Sequence, residues 1–437
     1  MSAGFDASPY AARRARLAAG MKRGIAIVPT APERPRNRDA HYPFRFDSYF
    51  YYLTGFPEPE AVLVVIADDG APRSVLFCRD KDPEREVWDG FRYGPEGAKA
   101  AFGFDEAHSV AKLDELVPQL LSNQPALYCH LGADSAWDER VMRWMNDVRG
   151  RARAGVTAPE TIADVHVQLD EMRLLKDAHE IALMRRAAEI STGAHRRAMV
   201  AAKPGVGEYA IEAELLHEFR RHGAQAPAYT PIVASGEHAC VLHYVENSDT
   251  LKDGDLLLID AGCELDGYAS DITRTFPVNG RFSGPQREVY ELVLAAQAAA
   301  IAHVKPGARW NAAHDAAVRV LAQGFIDMKL VEGSLDQVLE TESYRKFYMH
   351  RTGHWLGLDV HDAGDYKRAG EWRELTPGMV LTVEPGCYIR PGADVPAHYA
   401  GIGVRIEDDA LVTANGCEIL TTAAPKSVAD IEALMRG

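Results

Sequence analysis

Two aspartates in the stretch Asp255–Phe276 (DLLLIDAGCELDGYASDITRTF) are placed where they could bind a cation. The apolar residues before Asp260 predict a buried strand that ends in a carboxylate, and Asp271 lies near the start of a second β-rich run. Gly262 and Gly267 predict a turn, which would bring the two aspartates side by side. Two like charges at the end of a buried strand are costly, so a positive partner is expected. Because a turn aspartate often accepts only hydrogen bonds, further ligands are required.

The second half of the chain contains an internal repeat that supplies two more acids. The segment KDGDLLLIDAG aligns without a gap with TPGMVLTVEPG, so that Glu384 corresponds to Asp260. The next acidic strand, GIGVRIEDDALV, places Glu407 where the first half has Asp271. Two similar halves that face each other would bring these four carboxylates to one centre.

Histidines in the same half of the chain are further candidates. His243 lies in VLHYVE, and His350, His354 and His361 lie in MHRTGHWLGLDVHD. The i, i+4 spacing of His350 and His354 would suit one helical face, but the neighbouring glycines favour a loop or a strand. A single histidine is more often structural than a ligand, whereas four in two glycine-punctuated segments favour a site.

Four carboxylates and one imidazole form an oxygen-rich donor set that suits Mn²⁺, Fe²⁺, Co²⁺ or Zn²⁺. Four negative charges exceed what one divalent ion neutralises, whereas two ions would balance them and leave room for a bridging hydroxide. Bridging carboxylates would hold two ions about 3.5–4 Å apart, as in two-metal hydrolases. Such a centre generates a nucleophile at neutral pH, so the pattern predicts a hydrolase.

The elements that must position these residues fall into two predicted domains. From about residue 24 to 132, short β-rich runs alternate with helix-like segments such as Val110–Leu121, which predicts a separate α/β domain. The Arg-, Gly- and Ala-rich segment Val148–Pro159 is predicted to connect this domain to the next. The first helix of the second domain is predicted to begin at a capping box formed by Asp177 and Glu180.

The composition argues against several classes of function. The 437 residues include 48 basic and 63 acidic side chains, and the net charge of −15 argues against nucleic acid or an anionic membrane as a partner. No apolar run approaches the roughly 20 residues of a membrane span, and the N-terminal residues lack the apolar stretch of a signal peptide. The 6 cysteines show no CxxC spacing and are expected to be reduced thiols, which predicts a cytoplasmic protein.

The acids and histidines follow the ligand order of a known metallopeptidase family. The segments IDAGCELDGYASDITRTFPVNG, GHWLGLDVHD, MVLTVEPGCY and GVRIEDD resemble the bacterial Xaa-Pro aminopeptidases (aminopeptidase P) of the pita-bread metallopeptidases, as does YLTGFPEPEAVLVVI. The resemblance implies an N-terminal α/β domain of the creatinase and aminopeptidase P type at residues 1–172. It implies a pseudo-twofold pita-bread catalytic domain at residues 173–437, so the fold class is α/β and α+β.

The resemblance also implies a metal site. Two divalent ions, Mn²⁺ first with Zn²⁺, Co²⁺ and Fe²⁺ as alternatives, would be bound by Asp260, Asp271, His354, Glu384 and Glu407.

The same resemblance assigns roles to the residues around this metal site. Glu384 would take the proton from a metal-bridging hydroxide and deliver it to the departing nitrogen. His243 and His361 would hydrogen-bond the substrate and the tetrahedral intermediate, and His350 would line the pocket beyond the scissile bond. Arg405 would orient an acid or contact the substrate, with an ordinary ion pair as the alternative.

Two further positions have specific expectations. Trp88, in EVWDGFRYG, is flanked by charge and glycine, and the resemblance implies that it reaches toward the active site of an adjacent subunit in a homodimer or tetramer. Packing of Trp88 within its own domain is the alternative. Arg351 and Thr352 depart from the relatives, which usually have glycine before a small or apolar residue, so a change in the wall of the substrate pocket is expected.

The implied activity is hydrolysis of the bond between an N-terminal residue and a following proline, so the expected partners are peptides with proline in second place. Prolidase, which shares the ligands and the fold but requires a dipeptide, is the alternative. Methionine aminopeptidase fits less well, because its minimal form lacks the first ~170 residues. A metal-free binding protein or a creatinase-like enzyme would have lost ligands, whereas all five are present here.

Overall fold

The structure is a computed structural model that describes residues 5–68, 70–392 and 394–436. The chain divides into two units, Met1–Met172 and Arg173–Gly437.

The N-terminal unit is built around one sheet. Its helices and strands are, in chain order, α1 (Ser8–Met21), β1 (Gly24–Pro29), β2 (Pro35–Asn37), β3 (Ala40–His41), α2 (Ser48–Thr54), β4 (Val62–Ala67), β5 (Arg73–Cys78), α3 (Pro83–Asp89), α4 (Gly94–Phe102), β6 (Glu106–Ser109), α5 (Leu113–Leu121), β7 (Ala126–Tyr128), α6 (Ser135–Arg149) and β8 (Thr161–Ala163). The six-stranded sheet has the order β6-β5-β4-β1-β7-β8. The continuous apolar run VLVVIA forms β4, which is buried along its whole length, as a central strand should be. The predicted α/β class of this part of the chain is confirmed.

The prediction that Val148–Pro159 connects the two domains is wrong. The helix α6 continues to Arg149, and the following residues lead to β8, which pairs in parallel with β7 inside the same sheet. A connection within a domain and one between domains have the same composition, because both run over the surface. The second unit begins only at Arg173.

The C-terminal unit is formed by mixed helices and short strands. The helix α7 (His166–Leu174) spans the boundary between the two units, since the second unit begins at Arg173. The elements that follow it are α8 (Ala178–Ala201), α9 (Glu208–Arg221), β9 (Ala226–Pro227), β10 (Ile232–Ser235), β11 (Leu256–Asp260), β12 (Cys263–Leu265), β13 (Tyr268–Ala269), β14 (Thr273–Pro277), α10 (Gly284–Ile301), α11 (Asn311–Asp327), α12 (Leu335–Glu340), β15 (Lys367–Arg368), β16 (Glu371–Trp372), β17 (Val380–Val383), β18 (Gly386–Ile389), β19 (Ile402–Arg405), β20 (Asp408–Val412), β21 (Cys417–Ile419) and α13 (Val428–Arg436). The capping box predicted at Asp177 and Glu180 is confirmed at the start of α8.

The two halves of this unit repeat one order of elements. A pair of packed helices, α8 with α9 or α10 with α11, precedes an antiparallel pair of strands, β11 with β14 or β17 with β20. Asp260 is the last residue of β11, and Glu384 directly follows β17. The repeat therefore places equivalent acids at equivalent strand ends, as the sequence alignment of the two halves predicts.

The helices and sheets of the C-terminal unit enclose one large apolar cluster that includes Trp355. All six cysteines are free thiols, and five of them are buried. Among the described residues, no helix combines the length and apolar character that crossing a membrane requires.

Candidate active site and metal centre

A cavity of about 500 Å³ in the C-terminal unit contains nine of the ten predicted site residues. They are Asp260, Asp271, His354, Glu384, Glu407, His243, His350, His361 and Arg405. The tenth, Trp88, belongs to the N-terminal unit, where its residue surface is 83% exposed.

Strand pairing within the first half and hydrogen bonds of Thr273 to the second half bring the acids together. Asp260 lies opposite Thr273 in the antiparallel pair of β11 and β14, and Asp271 lies two residues before β14. The backbone N–H of Glu407 donates to the carbonyl of Thr273 (3.0 Å), and the Thr273 hydroxyl donates to the Glu407 carboxylate (2.7 Å). Thr273 thus joins the acid-bearing segments of the two halves.

Three of the predicted ligands already have the spacing of a metal site. Asp271, His354 and Glu407 each offer a ligand atom, and these atoms lie within 4.8 Å of one another. Nε2 of His354 lies 3.4 Å from Oδ2 of Asp271 and 3.7 Å from Oε1 of Glu384. Nδ1 of His354 donates to the carbonyl of Trp355 (2.9 Å), which leaves the Nε2 lone pair free for a cation.

The segment that contains His354 is extended rather than helical. The backbone N–H of Thr382 donates to the carbonyl of His354, and that of Glu384 donates to the carbonyl of Thr352. The segment therefore pairs with β17 and its C-terminal extension, which places His354 next to Glu384. Gly353 permits this approach, since a Cβ at that position would lie 2.0 Å from the Thr382 carbonyl oxygen. The loop or strand that the glycines predict is confirmed.

The cluster of buried carboxylates carries uncompensated charge. Burial raises the pKa of Glu384 to about 7, and it raises that of Glu407 well above its usual range. Burial and the neighbouring Asp260 also raise the pKa of Asp271. These raised pKa values show that the ionised carboxylates are unfavourable here without a positive partner. A bound cation would stabilise the ionised carboxylates.

The contacts of Tyr229 also indicate that the carboxylates lack a positive partner. Its hydroxyl donates to Oδ1 of Asp260 (2.5 Å) and also contacts Oδ1 of Asp271. A hydroxyl has one proton, so it can satisfy only one of the two carboxylates at a time. The donor set therefore fits divalent cations. Sequence reasoning missed Tyr229, which lies 42 positions before Asp271 in the chain and carries no motif.

Arg405 is fixed by its neighbours on the cavity wall. Its guanidinium is buried and donates to Oδ2 of Asp260 (2.7 Å), to Tyr388 (3.0 Å) and to Thr273 (3.1 Å). The Tyr388 hydroxyl also contacts Nε2 of His350 (2.9 Å). Arg405 thus forms a buried ion pair with Asp260, a contact that fits both the orienting role and the ordinary ion pair expected for it. Tyr388, which sequence reasoning also missed, joins Arg405 to His350.

A buried ionic network supports the strand next to Glu407. Arg274 is fully buried and donates to Oδ1 of Asp408 (2.7 Å) and to the Glu407 carbonyl (2.5 Å). Nζ of Lys426 donates to the other oxygen of Asp408 (2.6 Å). Although burial opposes ionisation, these two cations hold the pKa of Asp408 below its usual value. Arg274 therefore fixes the backbone that carries the Glu407 side chain.

We expect Arg274→Met to lower the free energy of unfolding by about 3 kcal/mol, because it leaves Asp408 buried with only one of its two cations. The matched control is Arg185→Met, since the ion pair of Arg185 with Glu418 has side chains 48% and 42% exposed. The control should cost less than about 1 kcal/mol. Urea titrations followed by circular dichroism measure both, and equal losses would show that the network is not important for stability.

A second group of potential ligands, His130, Asp164 and His166, lies in the N-terminal unit. The two imidazole rings stack 3.9 Å apart with an interplanar angle of 13°. Nitrogen lone pairs lie in the ring plane, so two nearly parallel rings cannot direct them to one ion without rotation of a ring. The arrangement in the C-terminal unit is therefore the better candidate metal centre.

Comparisons with known proteins identify the family of this chain. The model of metallopeptidase family M24 matches residues 182–414, and that of the aminopeptidase P N-terminal domain matches residues 10–128. A Xaa-Pro aminopeptidase of Haemophilus influenzae is 47% identical over 97% of this chain and 96% of its own length.

Solved structures extend the similarity to the whole fold. An aminopeptidase of Pseudomonas aeruginosa is 52% identical with a TM-score of 0.97, covering 99% of this chain and 98% of that one. Aminopeptidase P of Escherichia coli, solved as a variant in complex with substrate, is 44% identical with a TM-score of 0.96, covering 99% of both chains.

These findings decide between the alternatives that the sequence leaves open. The similar proteins are Xaa-Pro aminopeptidases along nearly their full length, so a prolidase is not favoured. The match to the N-terminal domain also separates the chain from the minimal methionine aminopeptidases. The chain belongs to metallopeptidase family M24 and, within it, to the Xaa-Pro aminopeptidases.

Proposed function

We propose that this chain removes the N-terminal residue from peptides in which proline is the second residue, by metal-assisted hydrolysis of the Xaa–Pro bond. The observation that carries the proposal is the convergence of Asp271, His354 and Glu407 within 4.8 Å in an accessible cavity. The Xaa-Pro aminopeptidase activity of its relatives identifies the bond.

We assign the binding of two divalent ions to the acids of the two halves and one imidazole. The proposed ligands are Asp260, Asp271, His354, Glu384 and Glu407. The oxygen-rich set favours Mn²⁺, with Zn²⁺, Co²⁺ and Fe²⁺ as alternatives. When bound, the ions supply a water of lowered pKa and polarise the scissile carbonyl. A zinc-substituted form of the Escherichia coli relative has been solved with product.

Glu384 is the proposed proton carrier. It accepts a proton from the attacking water and delivers this proton to the proline nitrogen as the Xaa–Pro bond breaks. While no cation is bound, burial raises the pKa of Glu384 to about 7, so this carboxyl group can hold a proton in its present surroundings. Its position 3.7 Å from Nε2 of His354 places the carboxylate beside the metal ligands.

Other residues of the cavity are proposed to bind the substrate. The exposed imidazoles of His243 and His361 hydrogen-bond the peptide and the tetrahedral intermediate. Burial lowers the pKa of His350 to about 3, so this residue is a neutral wall of the pocket beyond the scissile bond. Arg405 orients Asp260 through their 2.7 Å contact. Proline has no N–H, so a pocket shaped for its ring must replace that hydrogen bond.

Hydrolysis of defined peptides tests this function. We expect the metal-loaded protein to cleave Ala-Pro-Ala and longer peptides that begin with Ala-Pro, and to leave Ala-Ala-Ala largely intact. Amino acid analysis of the products identifies the bond that is cleaved. Cleavage of the dipeptide Ala-Pro without cleavage of Ala-Pro-Ala would instead make the protein a prolidase.

Trp88 is proposed to complete the active site of an adjacent subunit in a homodimer or tetramer. It lies on α3, and 83% of its surface is exposed, as is 81% of that of Val87. An indole exposed to this degree gains little from packing in its own domain. Trp88→Ala should therefore raise KM for Ala-Pro-Ala without changing metal content or the thermal midpoint. A lowered midpoint with unchanged KM would contradict this proposal.

The domain limits and the location of the protein are also proposed. Residues 1–172 form the N-terminal domain, and residues 173–437 form the pita-bread catalytic domain, in agreement with the two units of the structure. Six free thiols are consistent with a reducing compartment, so the proposed location is the cytoplasm.

A further inference from the structure

Arg351 lies on the wall of the active-site cavity, and the mechanism above does not use it. Its side chain is exposed and lines the cavity next to His350 and Gly353. Among the described residues, the Arg351 guanidinium forms no ion pair and donates no hydrogen bond. It has an aromatic contact with Trp372, whose ring centre lies 5.5 Å from the guanidinium carbon.

Other basic side chains lie near Arg351. Nζ of Lys367 lies 4.3 Å from the centre of the same Trp372 ring. Burial lowers the pKa of the nearby His314 to about 4, and the charge of Arg351 is the second cause of this lowering. Arg405, the other arginine that lines the cavity, is already paired with Asp260. Arg351 is therefore the cation on this part of the cavity wall that a bound anion could contact.

The position of Arg351 along the substrate path follows from its neighbour. Nδ1 of His350 lies 3.8 Å from Oε2 of Glu384 and donates to the Arg351 carbonyl (2.7 Å). This bond holds the backbone of Arg351 next to His350, the residue that lies beside the catalytic carboxylate. Extended peptides advance about 3.3–3.6 Å per residue, so the C-terminal carboxylate of a Xaa-Pro-Yaa tripeptide lies roughly 7 Å beyond the scissile bond. A side chain as long as arginine can span that distance.

We propose that Arg351 binds a carboxylate on the proline side of the scissile bond and so favours tripeptides with a free C-terminus. This inference rests on the proposed Xaa-Pro aminopeptidase function and defines its preferred substrate class. The N–H groups of a guanidinium point outward in its plane, so Arg351 can contact Trp372 with its face and a carboxylate with its edge. An aspartate or glutamate side chain after the proline offers the same chemistry.

The test compares kcat/KM for three substrates with the metal-loaded protein. These are Ala-Pro-Ala with a free carboxylate, Ala-Pro-Ala amide and Ala-Pro-Glu amide. We expect the first to exceed the second by roughly 5- to 10-fold, mainly through KM, and this ratio to fall as salt is added. Arg351→Gln should bring the ratio close to one, because it lowers kcat/KM for the free carboxylate more than for the amide.

The matched control is Arg319→Gln, because Arg319 is exposed on α11 and does not line the cavity. It makes the same change in charge and should keep the wild-type ratio. If only Ala-Pro-Glu amide is preferred, the carboxylate that Arg351 binds belongs to a side chain. An unchanged ratio in Arg351→Gln, or an equal loss for all three substrates, would overturn the inference. Failure of the wild-type protein to cleave any of the three would instead refute the proposed function.

Discussion

Glu384→Gln should lower kcat at least about 100-fold while the bound metal and the fold are retained. Glutamine has the shape of glutamate and keeps one carbonyl oxygen as a possible ligand, but it cannot take up and release a proton. The variant should lower kcat and leave KM nearly unchanged, because the lost function is proton transfer during cleavage of the peptide bond. Steady-state kinetics on Ala-Pro-Ala together with elemental analysis of the purified variant measure the two quantities.

The control for this experiment is Glu332→Gln, since Glu332 is exposed and lies outside the cavity. It should keep the wild-type kcat. A Glu384→Gln protein that retains both its metal and nearly all of its activity would show that another group carries the proton. If the variant loses its metal as well as its activity, the result would show that Glu384 is needed to bind the metal. Its role in proton transfer would then need a separate test.

His354→Ala should reduce the metal content itself. The Nε2 lone pair of His354 is directed to the site by the hydrogen bond from Nδ1 to the Trp355 carbonyl. A methyl group provides no ligand, so we expect metal affinity to fall at least about 100-fold, beyond the loss seen when an outer hydrogen-bond partner is removed. Activity should recover in part as the metal concentration is raised, because the carboxylates remain.

The matched control is His303→Ala, because His303 is exposed and lies just after α10. Both variants are first treated with a chelator to remove bound metal. Calorimetric titration with metal then gives the affinity and the number of bound ions. Unchanged affinity with two ions per chain in His354→Ala would remove His354 from the ligand set.

The positions of the acids could be predicted from the sequence because they follow short-range rules. Asp260 and Glu384 end apolar strands in two aligned segments, and each next strand has an acid near its start. Strand pairing then brings the acids of each half together, and contacts such as that of Thr273 with Glu407 join the two halves. The alignment of the two halves is therefore sufficient to predict which acids meet at the centre.

The residues that support the acids could not be predicted in this way. Tyr229, Arg274 and Tyr388 act through contacts with residues far away in the chain, such as the bond of Arg274 to Asp408 over 134 positions. No periodicity or motif marks such a contact, because tertiary packing alone determines it. The wrong assignment of Val148–Pro159 has a related cause, since surface composition does not reveal which strand a loop leads to.

The close approach at Gly353 affects how a mutational scan of this protein should be interpreted. Gly353 has no functional group, yet any side chain there would collide with the Thr382 carbonyl, 2.0 Å from the new Cβ. Substitution would push His354 and Glu384 apart, so even alanine should abolish activity as completely as the loss of a ligand. Position 353 would then tolerate only glycine because two backbone segments lie too close together for a side chain. Activity data alone would misidentify Gly353 as a catalytic residue.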